Sequence, residues 1–205
     1  MIAAPAWAEP APTTTDPAKE PAGLYVLDKR HGSLIAQVSH MGLSAYTMRF
    51  DTLGGRFSYD PAHPEASQIS ITVDPASLDV GDPGISRGFA REFLGAIEAP
   101  QITFTSTAIQ RTDPAHGTVT GDLSFHGQTR PVTLAVTFNG YGASLIGGRR
   151  MGFSATGDIR RSDFGSTAWL GEVGDHVHLV IEAEFTRQAP ADAPTPSTPT
   201  ETPAP

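Results

Sequence analysis

Four groups of residues carry side chains able to do chemistry. Gly84-Ile85-Ser86-Arg87-Gly88 has the letters of a nucleophile elbow, G-x-S-x-G, which needs a buried strand before it and a helix after it. The residues before it, Asp79-Val80-Gly81-Asp82-Pro83, read as a loop, so a serine hydrolase built on Ser86 is the weaker reading. His176 and His178 lie two apart and share a strand face, as metal ligands can. Glu182 and Glu184 fall on the same face, which reads as solvated, and no metal site is expected. Arg161 can anchor a quinone carbonyl or a phosphate. Equally, it can pair with Asp163 and fix the turn before Phe164, and this structural reading weighs more. His40, in phase with Leu34 and Val38, points inward as a satisfied core histidine or as a ligand contact.

The elements that must position these residues are strands. Apolar residues alternate with polar ones at Leu34-Ala36-Val38-His40, Ile69-Ile71-Val73, Ile102-Phe104 and Val119-Leu123-Phe125. The same holds for Val132-Leu134-Val136-Phe138 and Val177-Leu179-Ile181-Ala183-Phe185. Pleating sends the two sets to opposite faces, one apolar and one wet. Turn residues separate the runs at Gly54-Gly55, Asp60-Pro61, Asp113-Pro114, Gly127-Gln128, Asn139-Gly140 and Gly147-Gly148. The spacing suits hairpins and leaves no room for crossover helices. Only residues 85–97 read as a helix, with Phe89, Phe93 and Ile97 spaced by four; with Leu94 they form a lid or a plug. One helix against about eight strands implies a sandwich or a closed barrel, and a barrel removes exposed edges. The expected fold is all-β: an eight-stranded antiparallel barrel, lipocalin-like, with one short helical lid segment.

Composition fixes the boundaries. Of eighteen prolines, eleven fall before residue 23 or after residue 187. Residues 1–22 and 188–205 therefore read as a disordered N-terminal segment and a Pro-rich disordered tail, and 23–187 as the folded domain. The net charge of −8 leaves no nucleic-acid footprint. No apolar run is long enough for a transmembrane helix. With no cysteine, disulfides and thiol catalysis are excluded. Ala6-Trp7-Ala8 before Glu9 fits a small-residue cleavage site, without a charged start or a full apolar segment before it. It reads as a signal-peptide remnant, which would make the protein periplasmic or secreted, or else as an Ala/Pro-rich end.

The hairpin from Val119-Thr120-Gly121-Asp122-Leu123 to Arg130-Pro131-Val132 resembles the GDLT-x-HG-x-TRPV hairpin of the YceI-like family. Arg160-Arg161-Ser162-Asp163-Phe164-Gly165 resembles its RSDFG string, Val173-Gly174-Asp175 its VGD ending, and Tyr25, Asp28, His31 and His40 its opening pattern. Gly32, Ala36, Met48 and Ser166 depart from the pattern, and Gly88–Ala96 has lost the His and the second Asp of its helical string. The resemblance implies a periplasmic or secreted carrier that holds an isoprenoid quinone, polyprenyl lipid or fatty-acid derivative in an apolar tunnel, with no catalysis and no catalytic cofactor. The lipid is the expected partner, with a homodimer allowed.

On this reading the tunnel is lined by Val38, Phe50, Phe89, Phe93, Phe104, Phe125, Phe153, Ala155 and Phe164, with His40, Arg161 and Asp163 as polar contacts. Ala36, Gly121, Ala155 and Ala183 among the phenylalanines either leave space or fit the taper of a packed barrel. A packed barrel would make the chain a tethered interaction module instead.

Overall fold

The computed structural model describes residues 13–143 and 148–188. Its strands are β1 (Thr13–Thr14), β2 (Gly23–His40), β3 (Ser44–Phe50), β4 (Leu53–Tyr59), β5 (Gln68–Val73), β6 (Leu78–Asp79), β7 (Ile102–Arg111), β8 (His116–Phe125), β9 (Gln128–Ala143), β10 (Arg149–Arg160) and β11 (Val173–Arg187). One α-helix, α1 (Pro83–Glu92), lies between β6 and β7. Hydrogen-bonded neighbours run β11-β10-β9-β8-β7-β5-β4-β2, and β2 pairs back to β11. These eight antiparallel staves close the barrel, so no long strand edge of the ring is left unpaired. The β4 stave is extended by β3. Both pair antiparallel with β2, β4 along Gly23–Val26 and β3 along Leu34–His40, and the break falls at Asp51-Thr52.

Period-two alternation survives intact. Phe153↔Ala183, Ala155↔Ile181 and Gly157↔Leu179 pair across β10 and β11, and Leu179↔Ala36 and Ile181↔Leu34 across β11 and β2. Phe153, Ile181 and Leu179 each face a small residue on a neighbouring strand, which leaves room beside them in the lumen.

Two expected turns are strand features instead. Gly54 and Gly55 lie within β4, where an added Cβ would meet the Thr72 hydroxyl at 2.8 Å and the Ile71 Cδ1 at 2.5 Å. They are bare so that neighbouring side chains can cover them. Asn139-Gly140 lies within β9, at a register shift against Gly152-Phe153 of β10, and forms a bulge rather than a hairpin. The helix also differs from the expected 85–97. Asp82 caps it, accepting from the Gly84 and Ile85 amides, and Pro83 occupies its first turn. It ends at Glu92 because Gly95, at φ +61°, turns the chain. Ile97 is therefore off the lid and 69% exposed.

Residues 1–22 do not all behave as an unstructured leader. β1 pairs with Gly142-Tyr141 of β9, and a short 3-10 turn at Pro17–Lys19 follows. The Tyr59 hydroxyl donates to the Pro17 carbonyl (2.9 Å) and the Tyr25 hydroxyl to the Pro21 carbonyl (2.7 Å). Proline suggested disorder, but Pro17 starts the turn with its φ preset and no N–H to satisfy. Residues 13–22 thus form a strap across one barrel end. Ala6-Trp7-Ala8 and the tail from residue 189 lie outside the described residues.

The Asp28…His31 pair has a structural role. Between Leu27 and Gly32, four residues bulge out of β2 opposite the single residue Glu184. Arg150 Nη1 lies 2.7 Å from Asp28 Oδ2 and 2.9 Å from Glu184 Oε2, and His31 Nδ1 lies 3.0 Å from Asp28. The Arg30 amide on the Asp28 carboxylate, then the His31 and Arg150 contacts, holds its pKa below the ordinary value.

Candidate functional site

Inward apolar faces on every stave surround two abutting chambers. The helix chamber, about 470 Å³, lies beneath α1; the strap chamber, about 300 Å³, lies beneath residues 13–22. Both volumes fall in the range of small-molecule sites. Leu34, Ile102, Leu123 and Leu179 belong to the walls of both. They come from β2 and β11 on one side and from β7 and β8 on the other. In the ring order these two pairs of staves stand opposite one another, so the chambers meet at a waist of four facing aliphatic side chains.

Val38, Phe50 and Phe125 line the helix chamber, and Phe89 and Phe93 close it from α1. Phe89 packs against Tyr46 (5.9 Å between ring centres) and against Phe93 (5.2 Å), so the lid reaches β3. His40 lines the same chamber but at its mouth, exposed, near Tyr46 (6.1 Å). Met41 and Trp169 stand beside it at 60% and 59% exposure. Trp169 Nε1 donates to Glu92 (2.8 Å), tying the β10–β11 connection to the lid.

Phe104, Phe153 and Ala155 line the strap chamber. Phe57 anchors its aromatic wall, stacked on Tyr25 (5.1 Å) and edge-on to Phe153 (5.7 Å) and Phe185 (5.0 Å). Space here comes from Ala155 and Ala183, not from Gly121. A Cβ on Gly121 would lie 2.5 Å from the Phe104 Cζ and 2.5 Å from the Thr105 carbonyl oxygen. The Phe104 ring already covers that glycine, and the Leu134 side chain covers Gly157 in the same way.

The RSDFG residues divide differently from expectation. Arg161 is 4% exposed and borders the helix chamber. Its Nε, Nη1 and Nη2 donate to the carbonyls of Gly174 (2.8 Å), Ser166 (2.9 Å) and Val173 (2.8 Å). Burial pulls its pKa down, with the Asp175 carboxylate opposing. Asp163 is exposed, lines neither chamber and does not pair with Arg161 among the described residues. Asp175 does the turn-fixing instead, accepting from the Ser162 amide and hydroxyl, both at 2.9 Å. Phe164, 2% exposed, packs behind the wall on Phe125 (5.4 Å) and reaches neither chamber.

Ser86 lies in the first turn of α1 with its hydroxyl engaged. It donates to the Asp82 carbonyl (2.7 Å) and accepts from the Val80 amide (3.1 Å), as a helix-start residue does. His178 pairs with Asp158 (2.9 Å) on the outer surface. Among the described residues no three His, Asp or Glu side chains come together as metal ligands.

One polar group inside went unnoticed in the sequence. Glu20 of the strap is 2% exposed, lines the strap chamber, and neither carboxyl oxygen has a hydrogen-bond partner among the described residues. Burial pushes its pKa up to about 8, with Arg149 opposing. It sits in an Ala/Pro-rich stretch without periodicity. The only signal was a lone acid five residues before an inward tyrosine.

Residues 25–185 match the YceI-like domain. The chain belongs to the YceI-like family. It is 40% identical over 167 residues to a UPF0312 protein of Pseudomonas putida strain GB-1, spanning 80% of this chain and 86% of that one. A UPF0312 protein of Ectopseudomonas mendocina is 35% identical over the same length, spanning 80% and 87%. Among solved structures, Burkholderia cenocepacia BcnA superposes with a TM-score of 0.69 at 27% identity, covering 77% of this chain and 98% of that one. The Campylobacter jejuni YceI protein gives 0.64 at 26% identity, covering 74% and 90%. A polyisoprenoid binding domain from Saccharophagus degradans gives 0.59 at 15% identity, covering 80% and 98%, and speaks for the YceI-like fold alone.

Proposed function

We propose that this YceI-like protein carries one long apolar molecule, an isoprenoid or similar lipid, as a binding protein without catalysis. The observation that carries the reading is the pair of apolar chambers meeting at Leu34, Ile102, Leu123 and Leu179. A barrel serving only as a scaffold would fill that space with side chains. The Saccharophagus domain of the same fold is described as binding polyisoprenoid, which agrees. Burial would supply the affinity, about 0.8 kcal/mol per CH₂ group.

The test is mass spectrometry of an organic extract of the purified protein, with binding of a polyprenyl chain-length series. Affinity should rise with each added isoprene unit until both chambers are full. Ala155→Trp, which projects into the strap chamber, should lower the lipid load several-fold and leave the β-sheet circular dichroism unchanged. A protein that carries no lipid, and binds long chains no better than short ones, would sink the reading.

A periplasmic or secreted location is part of the proposal, supported by Ala6-Trp7-Ala8 and the acidic composition. Cell fractionation checks it. Recovery of the full-length chain in the cytoplasm alone would overturn it.

A further inference from the structure

The strap chamber contains a carboxyl group without a hydrogen-bond partner among the described residues. Both Glu20 oxygens are buried, and neither meets a donor among the described residues. A buried polar group without a partner is costly, and such groups in native proteins usually mark a function or a missing ligand. The strap that carries Glu20 is held by β1 on β9 and by the Tyr25 and Tyr59 hydroxyls, so the side chain is fixed over the chamber rather than loosely folded in. Residues 13–22 precede the segment that matches the YceI-like domain.

We propose that Glu20 is the headgroup anchor of the strap chamber and selects lipids whose head is an uncharged carbonyl: a quinone, ketone, ester or amide. The proposal rests on the reading of the interior as a lipid site and names the end at which the head is held. The chemistry follows from the protonated acid. A neutral carboxyl offers an O–H donor to an apolar space, and a carbonyl oxygen is its complement. An anionic head would have to leave its own charge unpaired in an apolar pocket.

The groups facing Glu20 agree with a neutral acid. Tyr25 from β2 and Tyr59 from β4 direct their hydroxyls to the Pro21 and Pro17 carbonyls rather than to the carboxyl. Arg149 on β10 supplies the positive charge that acts on the carboxyl. Around the neighbouring Tyr59 hydroxyl, Asp16 and Asp60 add negative charge and Arg111 positive. Arg149 lies over the Tyr141 ring at 4.3 Å. Burial outweighs Arg149, so the carboxyl is mostly protonated below about pH 8. The sign follows from that. With a folded pKa raised above the ordinary 4.5, the O–H is present in the docked strap below pH 8 and lost above it. Carbonyl recognition is therefore a low-pH property that fades through pH 8.

The experiment uses the full chain stripped of lipid, with a polyprenyl methyl ketone and the hydrocarbon of equal chain length as competitors against a fluorescent apolar probe. At pH 6 the ketone should bind roughly two- to tenfold more tightly, the value of one hydrogen bond. That preference should vanish above pH 9. Glu20→Gln, which keeps a donor but cannot ionise, should retain the preference at both pH values. Glu20→Leu should lose it at both. Equal binding of ketone and hydrocarbon by the unaltered protein at pH 6 would overturn the anchor and leave the carrier reading standing. So would a preference that survives in Glu20→Leu. Failure of both compounds to bind would sink the carrier reading, and the anchor with it.

Discussion

Replacing Arg161 by alanine should cost about 3–5 kcal/mol of unfolding free energy, because it strips one buried and two half-buried carbonyls of their donor at once. The guanidinium joins Gly174, Ser166 and Val173, so it ties the end of β10 and the start of β11 into one corner. Its flat fork reaches three acceptors in different directions, which a single ammonium cannot do, so Arg161→Lys should recover only a minority of the loss. The measurement is urea unfolding of both variants. A loss under 1 kcal/mol would show that the corner holds itself and that Arg161 serves the lumen. Lipid load per folded molecule should change little in Arg161→Lys. A selective loss of lipid without loss of stability would restore the anchor role for this residue.

The second large effect is expected at Gly121. Alanine there adds one carbon, yet that carbon would stand 2.5 Å from the Phe104 ring and 2.5 Å from the backbone oxygen of Thr105. The ring can rotate away, but the carbonyl belongs to the β7–β8 ladder and cannot move without breaking it. Gly121→Ala should therefore destabilise by about 2–3 kcal/mol, as overpacked cores do. Adding Phe104→Leu should return only the part due to the ring. Full recovery in the double variant, seen in the same unfolding experiment, would mean that the backbone contact is soft and the argument wrong.

Gly121 also shows why the barrel was legible in the sequence while its interior was not. Alternation in runs such as Val132-Leu134-Val136-Phe138 names the inward set, and antiparallel pairing keeps that set on one face. Hairpin spacing confines the fold to a sandwich or a closed barrel, and the pairing of β2 with β11 closes it. The open volume depends on cross-strand partners, which sequence does not state. Gly121 and Ala155 look alike as small inward residues. One is covered by Phe104, the other borders free space. Arg161 was ambiguous for the same reason: its acceptors are backbone atoms of residues 166, 173 and 174, which carry no side-chain signature. Asn139-Gly140 was read as a turn because the local signal is identical for a hairpin and for a bulge, and only the partner strand decides. Glu20 was invisible because a capping strap has no period.

The waist between the chambers has a consequence for the shape of the cargo. Leu34 and Leu179 stand on staves opposite those of Ile102 and Leu123, and these four side chains form the boundary between chambers of about 300 and 470 Å³. A molecule occupying both chambers must be slender in its middle and must bend by rotating single bonds as it threads. Chains of freely turning units meet that demand at every position along their length. A fused-ring body of similar mass and oiliness, such as a sterol, does not, and would be confined to one side. For the proposed carrier, suppleness in the cargo should therefore matter as much as greasiness.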